Sequence, residues 1–159
     1  MVIRKATVKD AAVVARFNRD LAWESEHLRL NPATVARGVK AVLKDPNKGI
    51  YFLAVMPAAG GRKEIAGQLM ITLEWSDWRN GMLWWIQSVY VRKEFRGQGV
   101  FRALYRHVLQ RARRQKNVCA LRLYVEKENA AALRTYKKLG MKETYYRIFD
   151  YPLFGGTAG

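Results

Sequence analysis

The run Phe95-Arg96-Gly97-Gln98-Gly99-Val100 sets two glycines two residues apart beside an arginine, and a helical pattern follows it. Glycine tolerates the left-handed backbone of a tight turn with exposed amides. A helix that starts there adds its positive dipole end, so the run reads as an anion site suited to a pyrophosphate. Gly-x-Gly turns are common, and the reading needs company to carry weight. Asn129 opens a second helical segment through Ala132, Tyr136 and Lys138 to Leu139-Gly140. Spacing alone reads Tyr136 as a core tyrosine on the apolar face of that helix. Glu24 and Glu26 fall near the end of an earlier helix, where either carboxylate can bind an ammonium. Being two apart they face different ways, and each also reads as an ion-pair partner of Arg19 or Arg29.

The elements that must position these residues follow from periodicity. Val2-Ile3-Arg4 reads as a strand, and Thr7 with Asp10 forms a capping-box pair for a helix striped by Val14, Phe17 and Leu21. Asn31-Pro32 starts a second helix that runs to about Leu43. Strands are expected at Ile50 to Val55, at Glu64 to Trp75, and over Leu83-Trp84-Trp85-Ile86-Gln87-Ser88-Val89-Tyr90-Val91, which is apolar enough to be central. After the glycine loop, Val100, Leu104, Val108 and Ala112 recur every four residues, with Arg102, Arg106, Arg113 and Arg114 opposite. A strand over Ala120 to Val125, the helix from Asn129 and a tyrosine-rich strand over Glu143 to Tyr151 complete the order, with Gly140 as a C-cap.

Composition bounds the answer. The 159 residues suit a single domain over 1–154 with a flexible Gly-rich tail at 155–159, and half of them are apolar. No apolar run spans a bilayer and no signal peptide is read at the start, so a cytoplasmic location is expected. The single cysteine, Cys119, excludes an intrachain disulfide and a multi-cysteine metal site, and it reads as a buried thiol. A net charge of +16 attracts polyanions: nucleic acid, an anionic membrane or a phosphorylated ligand.

The element order, with Arg96-Gly97-Gln98-Gly99-Val100-Phe101 between a central strand and a helix, resembles the GCN5-related N-acetyltransferase (GNAT) superfamily over nearly the whole chain. That family's loop reads Arg or Gln, two residues, Gly, one residue, then Gly or Ala; Phe101 departs at the last position, and its ring reads as core beside Tyr105. Asn129, Ala132, Tyr136 and Leu139-Gly140-Met141 match the family's second motif. The resemblance implies a mixed α/β fold: a mostly antiparallel, twisted sheet of six to seven strands flanked by about four helices. It implies acetyl-coenzyme A as cofactor. Val89, Tyr90 and Val91 would offer backbone hydrogen bonds to the pantetheine arm. The amides of Gly97, Gln98, Gly99, Val100, Phe101 and Arg102 would hold the pyrophosphate, with Arg96 or Arg102 pairing phosphate oxygens. Asn129, Ala132 and Lys138 would complete the cofactor site, and Tyr136 would protonate the leaving thiolate.

The activity so implied is direct acetyl transfer to a primary amine of a small molecule in a ternary complex. An alkylamine has a pKa of about 10.4 and attacks only when neutral, so a base is needed. Many relatives carry a glutamate on the central strand, where this chain has Gln87-Ser88. Glu74, Glu126 or an ordered water remain open as the base. Glu24, Glu26, Gln87 and Ser88 are the candidate acceptor residues, and Trp75, Trp78, Trp84 and Trp85 could shape that pocket. Leu21-Ala22-Trp23-Glu24 and Ile86 to Val91 resemble the diamine and polyamine acetyltransferases, but Gln87-Ser88 lacks their acidic residues and the net charge repels a polycation. A homodimer is expected from the superfamily. The rival readings are an acetyl-coenzyme A sensor without turnover and a nucleic-acid-binding module using the arginine face.

Overall fold

The structure is a computed structural model that describes residues 1–151 and 153. The chain divides into two compact units, Met1–Arg122 and Leu123–Gly159. The tail expected at 155–159 lies outside the described residues.

In the first unit the order is β1 (Val2–Lys5), α1 (Ala11–Glu26), α2 (Pro32–Lys44), β2 (Ile50–Pro57), β3 (Lys63–Ser76), β4 (Gly81–Val91), α3 (Val100–Arg113) and β5 (Val118–Arg122). The strands form one sheet in the order β1-β2-β3-β4-β5. The first three pairings are antiparallel, and β5 runs parallel to β4. The second unit contains α4 (Ala130–Lys138).

Strand alternation sends side chains to both faces of this sheet. Tyr51, Leu53 and Met70 pack with Val14 of α1 and Val39 of α2 in one cluster. On the other face Phe52 meets His107 of α3, ring centroids 5.1 Å apart, and Leu104 and Val108 are fully buried. Each such aliphatic side chain contributes about 1.5–3 kcal/mol by leaving water.

The local signals hold where they rest on caps. Asn31 Oδ1 accepts the Thr34 N–H at 3.0 Å, with Pro32 in the first helical turn. Asp10 accepts the Thr7 N–H at 2.8 Å. The expected sheet of six to seven strands is corrected to five among the described residues. The missing element is Glu143 to Tyr151, which forms no strand. Its β-favouring aromatics stand in water, with Tyr145 at 87% and Phe149 at 91% exposure, and strand preference without a paired edge does not make a strand. The strand read at Ala120 to Val125 lies at Val118–Arg122. Cys119 is exposed rather than buried: the register steps from Met82↔Val118 to Leu83↔Ala120, which leaves Cys119 as a bulge.

Arg4 donates two hydrogen bonds to Asp10, at 2.8 and 2.7 Å, tying β1 to the entry of α1. These bonds, with the Thr7 contacts and against the cost of burial, lower the Asp10 carboxyl from 3.8 to about 2. The folded value lies below the unfolded one, so the stabilisation is full above the ordinary carboxylate range and is lost as pH falls toward about 2. The shift corresponds to at most about 2.5 kcal/mol, and the partial exposure of Arg4 reduces that to about 1–2 kcal/mol. Asp10→Asn is expected to lower the unfolding free energy by about 1–2 kcal/mol near pH 7. Denaturant titrations at stepwise lower pH should show that difference shrinking.

Candidate functional site

The site is built around the C-terminal half of β4. β3 pairs with β4 along its length, but β5 pairs with it only from Met82 to Trp85. Ile86 to Val91 therefore have no strand partner on that side among the described residues. The register against β3 steps from Gln68↔Tyr90 to Met70↔Gln87, so Ser88 and Val89 together oppose Leu69. This is a bulge, and its extra residue leaves backbone groups outside the ladder. Ser88 sits at φ 48°, left-handed for a residue with a side chain. An open strand edge that ends in a bulge can take an extended ligand as an added strand.

The glycine loop follows at the end of β4. Gly97 and Gly99 have φ of 76° and 77°, and a Cβ at either would meet no atom within 4 Å. The glycines are thus required by backbone conformation and not by crowding. Gly99 is the N-cap of α3, and the first intrahelical bond is Ala103 N–H to Gly99 O at 3.0 Å. The amides of Val100, Phe101 and Arg102 have no acceptor within the helix. Val100 is buried, Arg102 is exposed, and the Gln98 side chain braces the loop on Glu94 O at 2.9 Å. Phe101 is half-buried, its ring centroid 6.2 Å from that of Tyr105.

Arg96 is engaged within the protein. Its Nε donates to Val91 O at 2.9 Å, and a terminal nitrogen donates to Glu24 Oε2 at 2.5 Å. Glu24 also accepts the Tyr90 hydroxyl at 3.1 Å. Burial pushes the Glu24 pKa up, but the bonds from Arg96 and Tyr90 outweigh it and hold the carboxyl below its ordinary value. Tyr90 is pushed up to about 12, by burial first and then by Glu24. Two residues expected to meet ligands, Glu24 and Arg96, thus join α1 to the loop.

Glu24 and Glu26 separate as their spacing requires. Glu24 lines a cavity of about 390 Å³ with Arg16, Asp20, Tyr90 and Arg92. Glu26 lines another of about 420 Å³ between α1, α2 and the sheet. Ser88 lines that second cavity as well, with Asn18, Tyr51 and Met70. Gln87 does not line it; its Nε2 donates to Thr72 Oγ1 at 2.7 Å. Of the four tryptophans, Trp84 is buried, Trp85 is half-buried, and Trp75 and Trp78 are exposed, so they form no single pocket wall.

In the second unit, Asn129 Oδ1 accepts the Ala132 N–H at 3.0 Å and caps α4. Burial raises the Tyr136 pKa. Lys138 is exposed at the last turn, and Gly140 at φ 84° closes the helix, with Met141 N–H on Tyr136 O at 3.1 Å. Among the candidate bases, Glu74 accepts Trp85 Nε1 and pairs with Arg122 at 3.7 Å. Glu126 accepts the Glu128 N–H at 2.8 Å.

The model of the Acetyltransferase (GNAT) family matches residues 16–141. The chain belongs to that family. Acetyl-coenzyme A is the acyl donor of GNAT acetyltransferases. A possible acetyltransferase from Clostridium difficile 630 is 39% identical, with a TM-score of 0.85 over 96% of this chain and 97% of that one. The mycothiol acetyltransferase of Tsukamurella paurometabola is 35% identical over 137 residues, 84% of this chain. This chain spans 45% of that relative's length. A predicted acetyltransferase from Clostridium acetobutylicum, solved with acetyl-CoA, shares the fold at 18% identity and a TM-score of 0.73, over 94% of this chain and 95% of that one.

The GNAT reading of the sequence did not find Asn18, Gln68 and Tyr51, which are joined by hydrogen bonds beside Ser88. The one signal was a glutamine inside the apolar run Ala66-Gly67-Gln68-Leu69-Met70. No helix among the described residues is long and apolar enough to cross a membrane, and no metal-binding cluster occurs among them.

Two glycines should respond differently to alanine. At Gly99 the side chain has space, so Gly99→Ala is expected to cost about 1–2 kcal/mol of backbone strain. At Gly67 a Cβ would lie 2.6 Å from Tyr90 O, which forces β3 from β4. Thermal unfolding should show the larger drop in Tm for Gly67→Ala.

Proposed function

We propose that this chain transfers the acetyl group of acetyl-coenzyme A to a primary amine of a small molecule, by direct attack in a ternary complex. One observation carries the reading. Ser88 stands in the bulge on the open edge of β4 and also lines the 420 Å³ cavity that holds Glu26. An acyl group carried along that edge would arrive where an acceptor in the cavity can meet it.

In this reading the backbone of Val89, Tyr90 and Val91 takes the pantetheine arm. Val91 O already receives Arg96, so Arg96 positions the loop instead of binding phosphate. The amides of Gly97, Gln98, Gly99, Val100, Phe101 and Arg102 hold the pyrophosphate, helped by the Arg102 side chain. The bound thioester supplies the acetyl group. Backbone N–H groups at the bulge would hold the thioester carbonyl oxygen and favour negative charge on it. Glu26 draws the ammonium form to the cavity. Asn129, Ala132 and Lys138 would belong to the cofactor side; the proton lost by the attacking amine would pass to Glu74, Glu126 or an ordered water, and the Tyr136 phenol would supply the proton that the thiolate needs to leave as a thiol.

The raised pKa of Tyr136 suits that role, because the phenol stays protonated at neutral pH. The finer likeness to diamine and polyamine acetyltransferases is weakened by the acceptor cavity, in which Glu26 is the one acidic lining residue among the described residues. The proposal includes one acetyltransferase domain over 1–154, a homodimer and a cytoplasmic location. Sedimentation and fractionation test the last two.

Tyr136→Phe is expected to lower kcat about a hundredfold while acetyl-coenzyme A affinity changes little. Thiol release and calorimetry measure the two separately, and equal loss of both would remove Tyr136 from the acid role. In the unmodified protein the alkaline limb assigned to Tyr136 should lie above the ordinary phenol value of about 10.

A further inference from the structure

We infer that the acceptor is a monoamine with an apolar body and a neutral carbonyl oxygen, which accepts a hydrogen bond from the Tyr51 hydroxyl. The inference rests on the acetyltransferase reading above and names the substrate class of its acceptor cavity.

The backbone oxygen of Ser88 can only accept, and Gln68 Nε2 lies 3.3 Å from it. That contact fixes which end of the Gln68 amide is nitrogen. The same Nε2 donates to Asn18 Oδ1 at 2.6 Å. With its oxygen so used, Asn18 turns Nδ2 toward Tyr51 and donates to the Tyr51 hydroxyl oxygen at 2.9 Å. A hydroxyl that accepts in this way keeps its own hydrogen to give. One backbone carbonyl therefore sets the direction of the whole chain, which ends in a donor. Tyr51 donates to no group among the described residues, and both Tyr51 and Asn18 line the cavity.

The chain is not a packing convenience. Gln68 is fully buried, and its Oε1 has no hydrogen-bond partner among the described residues. An apolar residue would fill that place without an orphaned oxygen. The structure instead keeps a glutamine, an asparagine and a tyrosine in an order that delivers one O–H to the cavity.

The rest of the lining selects what meets that donor. Leu21, Leu30, Val35, Val42 and Met70 give apolar walls. Among the described residues Glu26 is the only charged one lining the cavity, so one ammonium is matched and a second would face hydrocarbon. No lysine or arginine among the described residues lines the cavity, so a free carboxylate would be unpaired and would face Glu26. An amide or ester carbonyl satisfies Tyr51 without that charge. An α-amino amide with an aliphatic side chain, or a peptide end of the same chemistry, fits all three conditions.

The test uses the full chain with acetyl-coenzyme A and four amines: leucinamide, 3-methylbutylamine, leucine and spermidine. Thiol release should give leucinamide the highest kcat/KM. Tyr51→Phe should reduce kcat/KM about tenfold for leucinamide and less than about twofold for 3-methylbutylamine, which lacks the carbonyl. Asn18→Ala should shift the same ratio in the same direction by a smaller factor. Unchanged acetyl-coenzyme A binding by calorimetry certifies that each variant is folded. Equal losses on the two amines, a wild-type preference for leucine or spermidine, or silence on leucinamide with acetyl-coenzyme A bound would overturn the inference alone. Failure of the unmodified protein to bind acetyl-coenzyme A would overturn the underlying reading with it.

Discussion

The backbone of β4 beyond Trp85 is the constraint around which the rest is arranged. A central strand carries donors and acceptors on both edges, and in a protein interior nearly all must be paired. β3 meets that need on one edge except at the bulge, while β5 stops pairing at Trp85. The unpaired edge is tolerable where water or a ligand can reach it. The bulge at Ser88 and Val89 turns the strand at that point and presents one residue to the cavity beside α1 and α2. Glycine-dependent turns then carry the chain to the start of α3.

Charge is distributed with the same economy. Thirteen acidic residues face twenty-nine basic ones, and several of the acids brace the site's surroundings. Asp10 holds Arg4, Glu24 holds Arg96, and Glu64 and Glu94 hold Arg92. Arg102, Arg106 and Arg113 on α3, and Arg114 at its C-cap, are exposed and make no ion pair among the described residues. His107 shows the resulting field: burial first, then Arg111 and Arg114, lowers its pKa. A positive helix face that begins at an anion-ready loop draws a polyphosphate toward it.

Legibility in the sequence followed the range of the interaction. Asn31-Pro32, Thr7 with Asp10, and Gly140 act within one helical turn, and each stands where periodicity placed it. The pairs Glu24–Arg96, 72 residues apart, and Gln68–Asn18, 50 apart, have no local signature. Cys119 looked buried by composition, yet a register step in the edge strand put it in water. The tyrosine-rich segment had every strand preference and no partner edge.

The sequence by itself determined the element order from β1 to α4, the caps and the positive-φ glycine turn, because these depend on the conformational limits of single residues and on side-chain spacing. It also determined that Glu24 and Glu26 would diverge, since helical geometry separates positions two apart. Only the tertiary structure decided that Arg96 is held by Glu24, that Glu26 and Ser88 share a cavity, and that a buried amide chain aims at Tyr51. Those outcomes depend on which strand lies beside which and on where a register slips by one residue. A one-residue slip redirects every side chain beyond it.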